Sequence, residues 1–468
     1  MKQQDVQNLS PPLPPSQSSR PLRKVRWWEK YVGSIWHNRD FRTLWLSLTI
    51  THFGGQVTFL ALPLTAALLL NASPLEMGIL TAVEALPYTL FGLFTGVLID
   101  RSQKLRLIIL ADIGRGLALS LVPIAAWFGF LSMSILYIVG FLVGVGGIIG
   151  WAAYQVFMAE RVGNEHLVEA NSGIALSDSA SSLIGPGIAG ALIHWLTAPF
   201  AILLDAISFF ISAWMLRGIP PSATDAPKLK AVRDKEHTWA EIWAGIWADS
   251  KEGLKMILGH AVLRSIAFTL MLWNILKHAY LAIVILYATR DLALSPGTIG
   301  ALFMFAGIGF LLASASCQWF NRRFGVGYVM LLGLTMTGVA WLGVSGVIAN
   351  EWVAFQLAAA LFLMDLGAML FFINYLSLRQ AATPEHLRGR VTSTMIFMSV
   401  SLAPLGSLLG GVLGTWLGLR LTIAICGGAG LLLGLILLKW SPLGAMREMP
   451  TAGIQAKIIP VSPEMSAE

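Results

Sequence analysis

The stretch GVLIDRSQKLRLIIL, residues 96–110, ends one long apolar run and opens another. Between the two runs stand Asp100, Arg101, Lys104 and Arg106, with no glycine or proline after Gly96 to mark an ordinary turn. On a soluble surface such a cluster would need no explanation. Here it is an island in a chain that is 56% hydrophobic and 12% charged, with a mean hydropathy of +0.70. Soluble domains carry roughly a quarter of their residues as charges. A core cannot absorb this apolar surplus, so the composition points to a polytopic membrane protein. The net charge of +7 comes from basic residues scattered in short clusters, not gathered into a nucleic-acid-binding domain.

Working outward from the clasp, twelve runs are long enough to cross about 30 Å of hydrocarbon at about 1.5 Å rise per residue. They cover 42–70, 75–99, 105–127, 132–158, 168–196, 199–216, 261–289, 295–320, 326–349, 352–378, 389–417 and 419–440. Backbone in lipid must satisfy its own hydrogen bonds. The ten-residue alternation of a barrel is absent, so these runs predict helices. An even number of spans puts both termini on one side. Of 32 basic residues, 28 fall in the tails, loops or adjoining helix ends of that side, and only Arg290 and Arg420 fall opposite. By the positive-inside rule both termini are expected in the cytoplasm of a multi-pass cell-membrane protein.

The expected division is a cytoplasmic tail over 1–40, a six-helix half over 41–217, a linker over 218–260, a second half over 261–441 and a tail over 442–468. The first tail is polar and proline-rich and reads as disordered, not as a cleaved signal peptide. Trp27, Trp28 and Trp36 suit an interfacial segment after it. In the linker, Trp239, Trp243 and Trp247 recur every four residues beside Ile242 and Ile246. That predicts an amphipathic helix lying on the cytoplasmic leaflet.

The halves echo each other. LNASPLEMGIL before the clasp returns as LALSPGTIGAL, with Ser73 falling on Ser295 and Gly78 on Gly300, 222 residues on. At the same offset Asp100-Arg101 falls on Arg322-Arg323, and Glu165-His166-Leu167 recurs as Glu385-His386-Leu387. Paired six-helix halves are a transporter architecture, with a cavity where they meet near the midplane.

With that frame in place the clasp resembles the signature between the second and third helices of the major facilitator superfamily. Gly96, Asp100, Arg101 and Lys104 match; Gln103 stands where glycine is usual, and the second basic residue comes late, at Arg106. The stretches EHLVEANSG, GPGIAGALI and LLDAISFF are similar to the branch of siderophore and macrolide exporters. The resemblance implies an all-α fold of twelve helices in two pseudo-repeats, with spans one, four, seven and ten lining a central cavity. It also implies that the clasp gates: a carboxylate at Asp100 can pair with a cation or a helix N-terminus of the other half in one arrangement only, for about 0.3–2 kcal/mol. For Lys104 and Arg106 a role in setting topology is the expectation.

Charges inside spans are costly and tend to mark function. Glu84 lies in span two, Asp178 in five, Lys277 in seven and Asp365 in ten. Lys277 and Asp365 sit about 24 and 20 Å from their cytoplasmic helix ends, similar enough to pair. His52 and Gln56 share a face of span one, and Asn274 and His278 share a face of span seven. An acid buried without a cation holds its proton longer than one beside a cation. That ranks Glu84 first as proton carrier, Asp365 second and Asp178 third. Asp112 and Arg115, three apart, are expected to pair within their helix. Asp205 has no assigned role.

Gly185, Pro186, Gly187 and Gly190 resemble the glycine-proline motif of antiporters in the superfamily, though close helix packing alone would explain the glycines. Cys317 and Cys426 both lie in spans and indicate neither a disulfide nor a metal site. No phosphate loop is present, so no cofactor is expected and a proton gradient would supply the drive. The expected function is proton-coupled efflux of a small amphipathic compound, drug-, macrolide- or siderophore-like, by a monomer in the bilayer that is no enzyme. A lipid transporter or a non-transporting sensor on the same fold is the alternative.

Overall fold

The computed structural model describes residues 34–92, 94–220, 239–444 and 446. Of the tails expected at 1–40 and 442–468 and the linker expected at 218–260, residues 1–33, 447–468 and 221–238 lie outside the described residues. The first half comprises α1 (Arg39–Leu68), α2 (Pro74–Phe91), α3 (Thr95–Asp100), α4 (Lys104–Trp127), α5 (Met133–Val162), α6 (Leu167–Leu196) and α7 (Ala198–Leu216). A linker helix α8 (Trp239–Gly259) follows. The second half comprises α9 (Ala261–Arg290), α10 (Pro296–Phe324), α11 (Val326–Gly346), α12 (Val353–Ala382), α13 (Arg388–Val400), α14 (Ala403–Leu417) and α15 (Leu419–Trp440).

Twelve spans result, because α2 with α3 and α13 with α14 are each one broken crossing. Both breaks interrupt runs expected to be continuous. The second falls at Ser401–Leu402, where Ala403 and Pro404 open α14. Proline lacks the amide donor that a continuing helix would need there. Among the described residues nine helices or helix pairs are long and apolar enough to span on length and composition alone. The other three spans, α1, α2–α3 and α6, fall short because they carry polar residues. All three pack into the interior, α1 on α6 and α7, α2 on α14, and α6 on α10.

The repeat is written into the backbone as well as the sequence. Ser73 caps α2, its hydroxyl accepting from the Glu76 amide at 3.2 Å, with Pro74 at the first helical position. Ser295 caps α10 the same way, accepting from the Thr298 amide at 3.2 Å, before Pro296. Each cap follows a residue held at φ +50°, Asn71 and Ala293, neither of them glycine. Each of these tight turns also carries the same bond, Ala72 N to Ala66 O at 3.0 Å and Leu294 N to Ala288 O at 3.0 Å.

Let the side holding the clasp, α8, the start of α1 and the end of α15 be the termini face. Toward the other face one apolar core crosses both halves and includes Leu60, Leu64, Met77, Ile283 and Ile299. Toward the termini face the core divides. Phe41, Ile108 and Phe157 belong to one cluster, and Leu263, Met330 and Phe371 to another. The halves therefore seal on the far face and part on the termini face. Glycines make the seal possible. A Cβ on Gly78 would sit 2.8 Å from the Gly411 Cα, and one on Gly190 would sit 2.8 Å from the Gly300 Cα.

The linker helix departs from its expected place on the leaflet. It packs against α13 and α9, with Ile257 fully buried in the second-half core. Glu252 pairs with Arg390, and Gly253 lies over the Arg390 carbonyl, 2.9 Å from where its Cβ would be. Its second half is thus held by protein. Trp247 is exposed, and the side chains of Trp239 and Trp243 lie outside the described residues.

Candidate functional site

The site begins with a seam between α1 and α6. Trp45, Thr49, His52 and Gln56 recur at helical spacing and present one face of α1 to α6. Trp45 Nε1 donates to the Gly173 carbonyl at 3.0 Å, and Thr49 Oγ1 donates to Ser177 Oγ at 2.9 Å. One turn further, His52 Nδ1 lies 3.4 Å from Asp178 Oδ1. Beyond that, Gln56 packs beneath Gly185, its Cβ 2.7 Å from where a Cβ on that glycine would be. Two staples on one side and a tight glycine contact on the other fix the His52–Asp178 pair in register.

The pair faces a cavity of about 450 Å³ bounded by α1, α2, α5 and α6. Tyr88, Trp151, Tyr154 and Asn171 also line it. The Trp151 and Tyr154 rings are parallel within 3° at 6.1 Å, and the Trp151 ring lies 6.3 Å from that of His52. These four lining residues were not singled out from the sequence. Aromatics in apolar runs read as packing, yet Tyr154-Gln155 near the end of span four and Asn171 in span five were legible polar signals.

Glu84 is packed between α2 and α5, its Cγ 3.0 Å from where a Cβ on Gly140 would be. Its carboxylate has no hydrogen-bond or ion-pair partner among the described residues. In the second half, Lys277 and Asp365 are within electrostatic reach of each other. They do not form a contact ion pair. Lys277 instead stands over the Trp273 ring, 5.1 Å from its centroid. Asn274 Nδ2 donates to the Leu270 carbonyl at 3.1 Å and also to Ser399 Oγ, so it ties α9 to α13. His278 abuts α14, its Cβ 3.1 Å from a Cβ built on Gly406. Of the expected cavity residues, then, His52 and Asp178 line the cavity, while Glu84 is packed between α2 and α5 outside its lining. Gln56, Asn274 and His278 are packing contacts, because their helix face meets a neighbouring helix.

Two family-model matches, at residues 44–277 and 265–463, span both halves under the description Major Facilitator Superfamily. The chain belongs to the major facilitator superfamily. It is 28% identical to the uncharacterised MFS-type transporter YfiS of Bacillus subtilis, over 86% of this chain and 93% of that one. It is 26% identical to the multidrug efflux pump Tap of Mycolicibacterium fortuitum, over 82% and 91%. Its identity to the enterobactin exporter EntS of Escherichia coli is also 26%, over 86% and 95%. The fold matches the inward-facing structure of a bacterial homologue of the iron transporter ferroportin, with a TM-score of 0.66 at 18% identity, over 86% and 98%.

Within this major facilitator fold the clasp lies on the termini face. Gly96 has open space around it in α3, Asp100 closes that helix, and Arg101 is exposed in the turn. The Asp100 side chain, on which the gating expectation rests, lies outside the described residues. Lys104 corrects its expectation. A residue that only set topology would be solvated, but Lys104 is buried and its Nζ lies 3.2 Å from Glu160 Oε1 at the end of α5. Arg106 is exposed. The glycine-proline motif forms the seal of the major facilitator halves: Gly187 meets Met304, Gly190 meets Gly300, and α6 continues unbroken through Pro186.

Asp112 and Arg115 do not pair within their helix. Ser212 Oγ on α7 donates to Asp112 Oδ2 at 2.7 Å. The Arg115 guanidinium lies on the Phe209 ring at 3.9 Å, and its Nε has no acceptor among the described residues. Asp205, almost fully buried, accepts from Thr58 Oγ1 of α1 and from Ser208 Oγ at 3.0 Å. This polar core joins α1, α4 and α7, which gives Asp205 a structural role. Hydrogen bonds to a charged group contribute about 1.5–3 kcal/mol each, and losing their shared acceptor orphans both hydroxyls. Asp205→Ala is expected to lower the detergent melting temperature by several degrees or to prevent accumulation of folded protein, while Asp205→Asn retains part of the stability. Wild-type melting of the alanine variant would exclude this role.

Proposed function

We propose that the chain exports small amphipathic compounds from the cytoplasm in exchange for protons, with both termini and the 217–260 segment cytoplasmic. The observation that carries the reading is the cavity holding the His52–Asp178 pair, lined from the first half, in a fold whose halves seal on one face and part on the termini face. The basic residues concentrated on that face support its cytoplasmic placement. Outward direction is supported by the relatives described as an efflux pump and an exporter.

Alternating access follows from the packing. The glycine contacts of the seal exist in one arrangement of the halves, so the arrangement open to the other face must break them and close the termini face. Ionisable groups supply the coupling. His52 and Asp178 in the cavity, Glu84 between α2 and α5, and Asp365 near Lys277 can each hold a proton in one arrangement and release it in the other. The His52–Asp178 pair in the lining weighs against the alternative of lipid transport, which suits a cavity without ionisable groups.

The test uses cells lacking their own exporters and a panel of amphipathic compounds. Cells making the protein are expected to retain less of at least one compound, and a protonophore is expected to abolish the difference. A difference that survives collapse of the proton gradient rules out proton exchange. No difference for any compound rules out export.

A further inference from the structure

The cavity's lining divides unevenly by charge. Among the described residues Asp178 is its one carboxylate and is two-thirds exposed, and no lysine or arginine lines it. Of those lining residues only His52 can present a positive charge, and then only when protonated. Asp178 has no other side-chain partner among the described residues. Around this pair stand three aromatic rings, Tyr88, Trp151 and Tyr154, of which Tyr88 and Trp151 are about two-fifths exposed, at 41% and 42%.

The charges behind and across from the wall do not reverse this balance. Arg115 lies behind it, stacked on Phe209 and within electrostatic reach of His52 and Tyr88, with Asp112 and Asp205 offsetting its charge. Lys277 belongs to the other half, over Trp273, with Asp365 within electrostatic reach. An anion entering the cavity would meet Asp178, and of the described lining residues His52 alone could offset it. A lipophilic cation would meet a carboxylate and aromatic rings, whose faces attract cations. The volume suits a compound of drug size.

We infer that this cavity selects lipophilic organic cations, with Asp178 as the charge partner and Trp151 with Tyr88 as the aromatic wall. The inference rests on the reading of the cavity as the transport site and names its substrate class. A cationic drug or amine-bearing macrolide fits it. An anionic chelator of the siderophore type does not.

Probes of one shape and opposite charge give the test. Binding of tetraphenylphosphonium and of tetraphenylborate to the purified full-length protein is measured by equilibrium dialysis against matched empty detergent micelles. The phosphonium is expected to bind at least tenfold tighter than the borate. Asp178→Asn is expected to remove most of that preference, and Trp151→Ala to weaken phosphonium binding several-fold. Asp178→Glu, which keeps the charge, is expected to restore the preference and shows that loss in the asparagine variant is not misfolding. Equal binding of the two probes, or an unchanged preference in Asp178→Asn, overturns the inference. If the phosphonium binds through Asp178 but no compound is exported, the cation site stands and the transport reading fails. If neutral or anionic compounds are exported while the phosphonium shows no preference, transport stands and the cation site fails.

Discussion

Gly300→Val is expected to abolish transport and to hold the two halves apart on the sealed face. A Cβ at this position would lie 2.7 Å from the Gly190 Cα and 2.9 Å from the Gly190 nitrogen. Both are backbone atoms, so no rotamer change can relieve the contact, and the α6 and α10 axes must separate. Overpacking of this kind costs about 1–3 kcal/mol even in a core that can adjust. Here the whole cost falls on one of two arrangements, and each 1.4 kcal/mol changes their ratio about tenfold. The valine variant should populate the arrangement that opens the sealed face, seen as longer distances between spin labels placed on the two halves there. Gly428→Ala provides the control, because no atom lies within 4 Å of its Cβ position. Wild-type transport and unchanged distances in Gly300→Val would show that the glycine contact is not the seal.

Glu84→Gln carries the second large effect. Glu84 is packed between α2 and α5 against Gly140 with no cation beside it among the described residues, so nothing in its surroundings compensates a fixed negative charge. Glutamine keeps the shape and removes the proton exchange. Vesicles holding an imposed pH gradient and a substrate from the panel are expected to lose gradient-driven accumulation in this variant yet keep downhill exchange. Asp365→Asn and Asp178→Asn follow in that order of expected effect. If all three leave the pH-driven component intact, proton antiport is the wrong mechanism. A uniporter or a different coupling ion would then have to explain the transport.

The spans were legible because crossing hydrocarbon takes about twenty apolar residues whatever the neighbours are. The caps at Ser73 and Ser295 were legible too, since capping is a local matter of side chain and proline. Tertiary pairing was not. His52 and Asp178 each drew attention as polar residues within spans, but helical periodicity says nothing about which distant helix one of them will face. For the same reason Asp112 was assigned to Arg115, its near neighbour, when Ser212 of another helix holds it. The break at Gly92 left no mark either, being a glycine in an apolar run. Lys104 looked like any loop lysine until the fold brought Glu160 over it.

The break at Ser401–Leu402 gives α13 a mechanical character that its sequence does not advertise. Above the break, α14 is fastened to α2 of the opposite half through Gly78 and Gly411. Below it, α13 is an arm of 13 residues, about 20 Å long at helical rise, and α8 is clamped to it through Glu252 and Gly253. Each 10° of bend at the break carries the free end of that arm through roughly 3.5 Å, a figure that follows from the same helical length. α8 is the handle of this crank. Force applied to it is delivered to the pivot at Ser401–Leu402, beside the join between the halves.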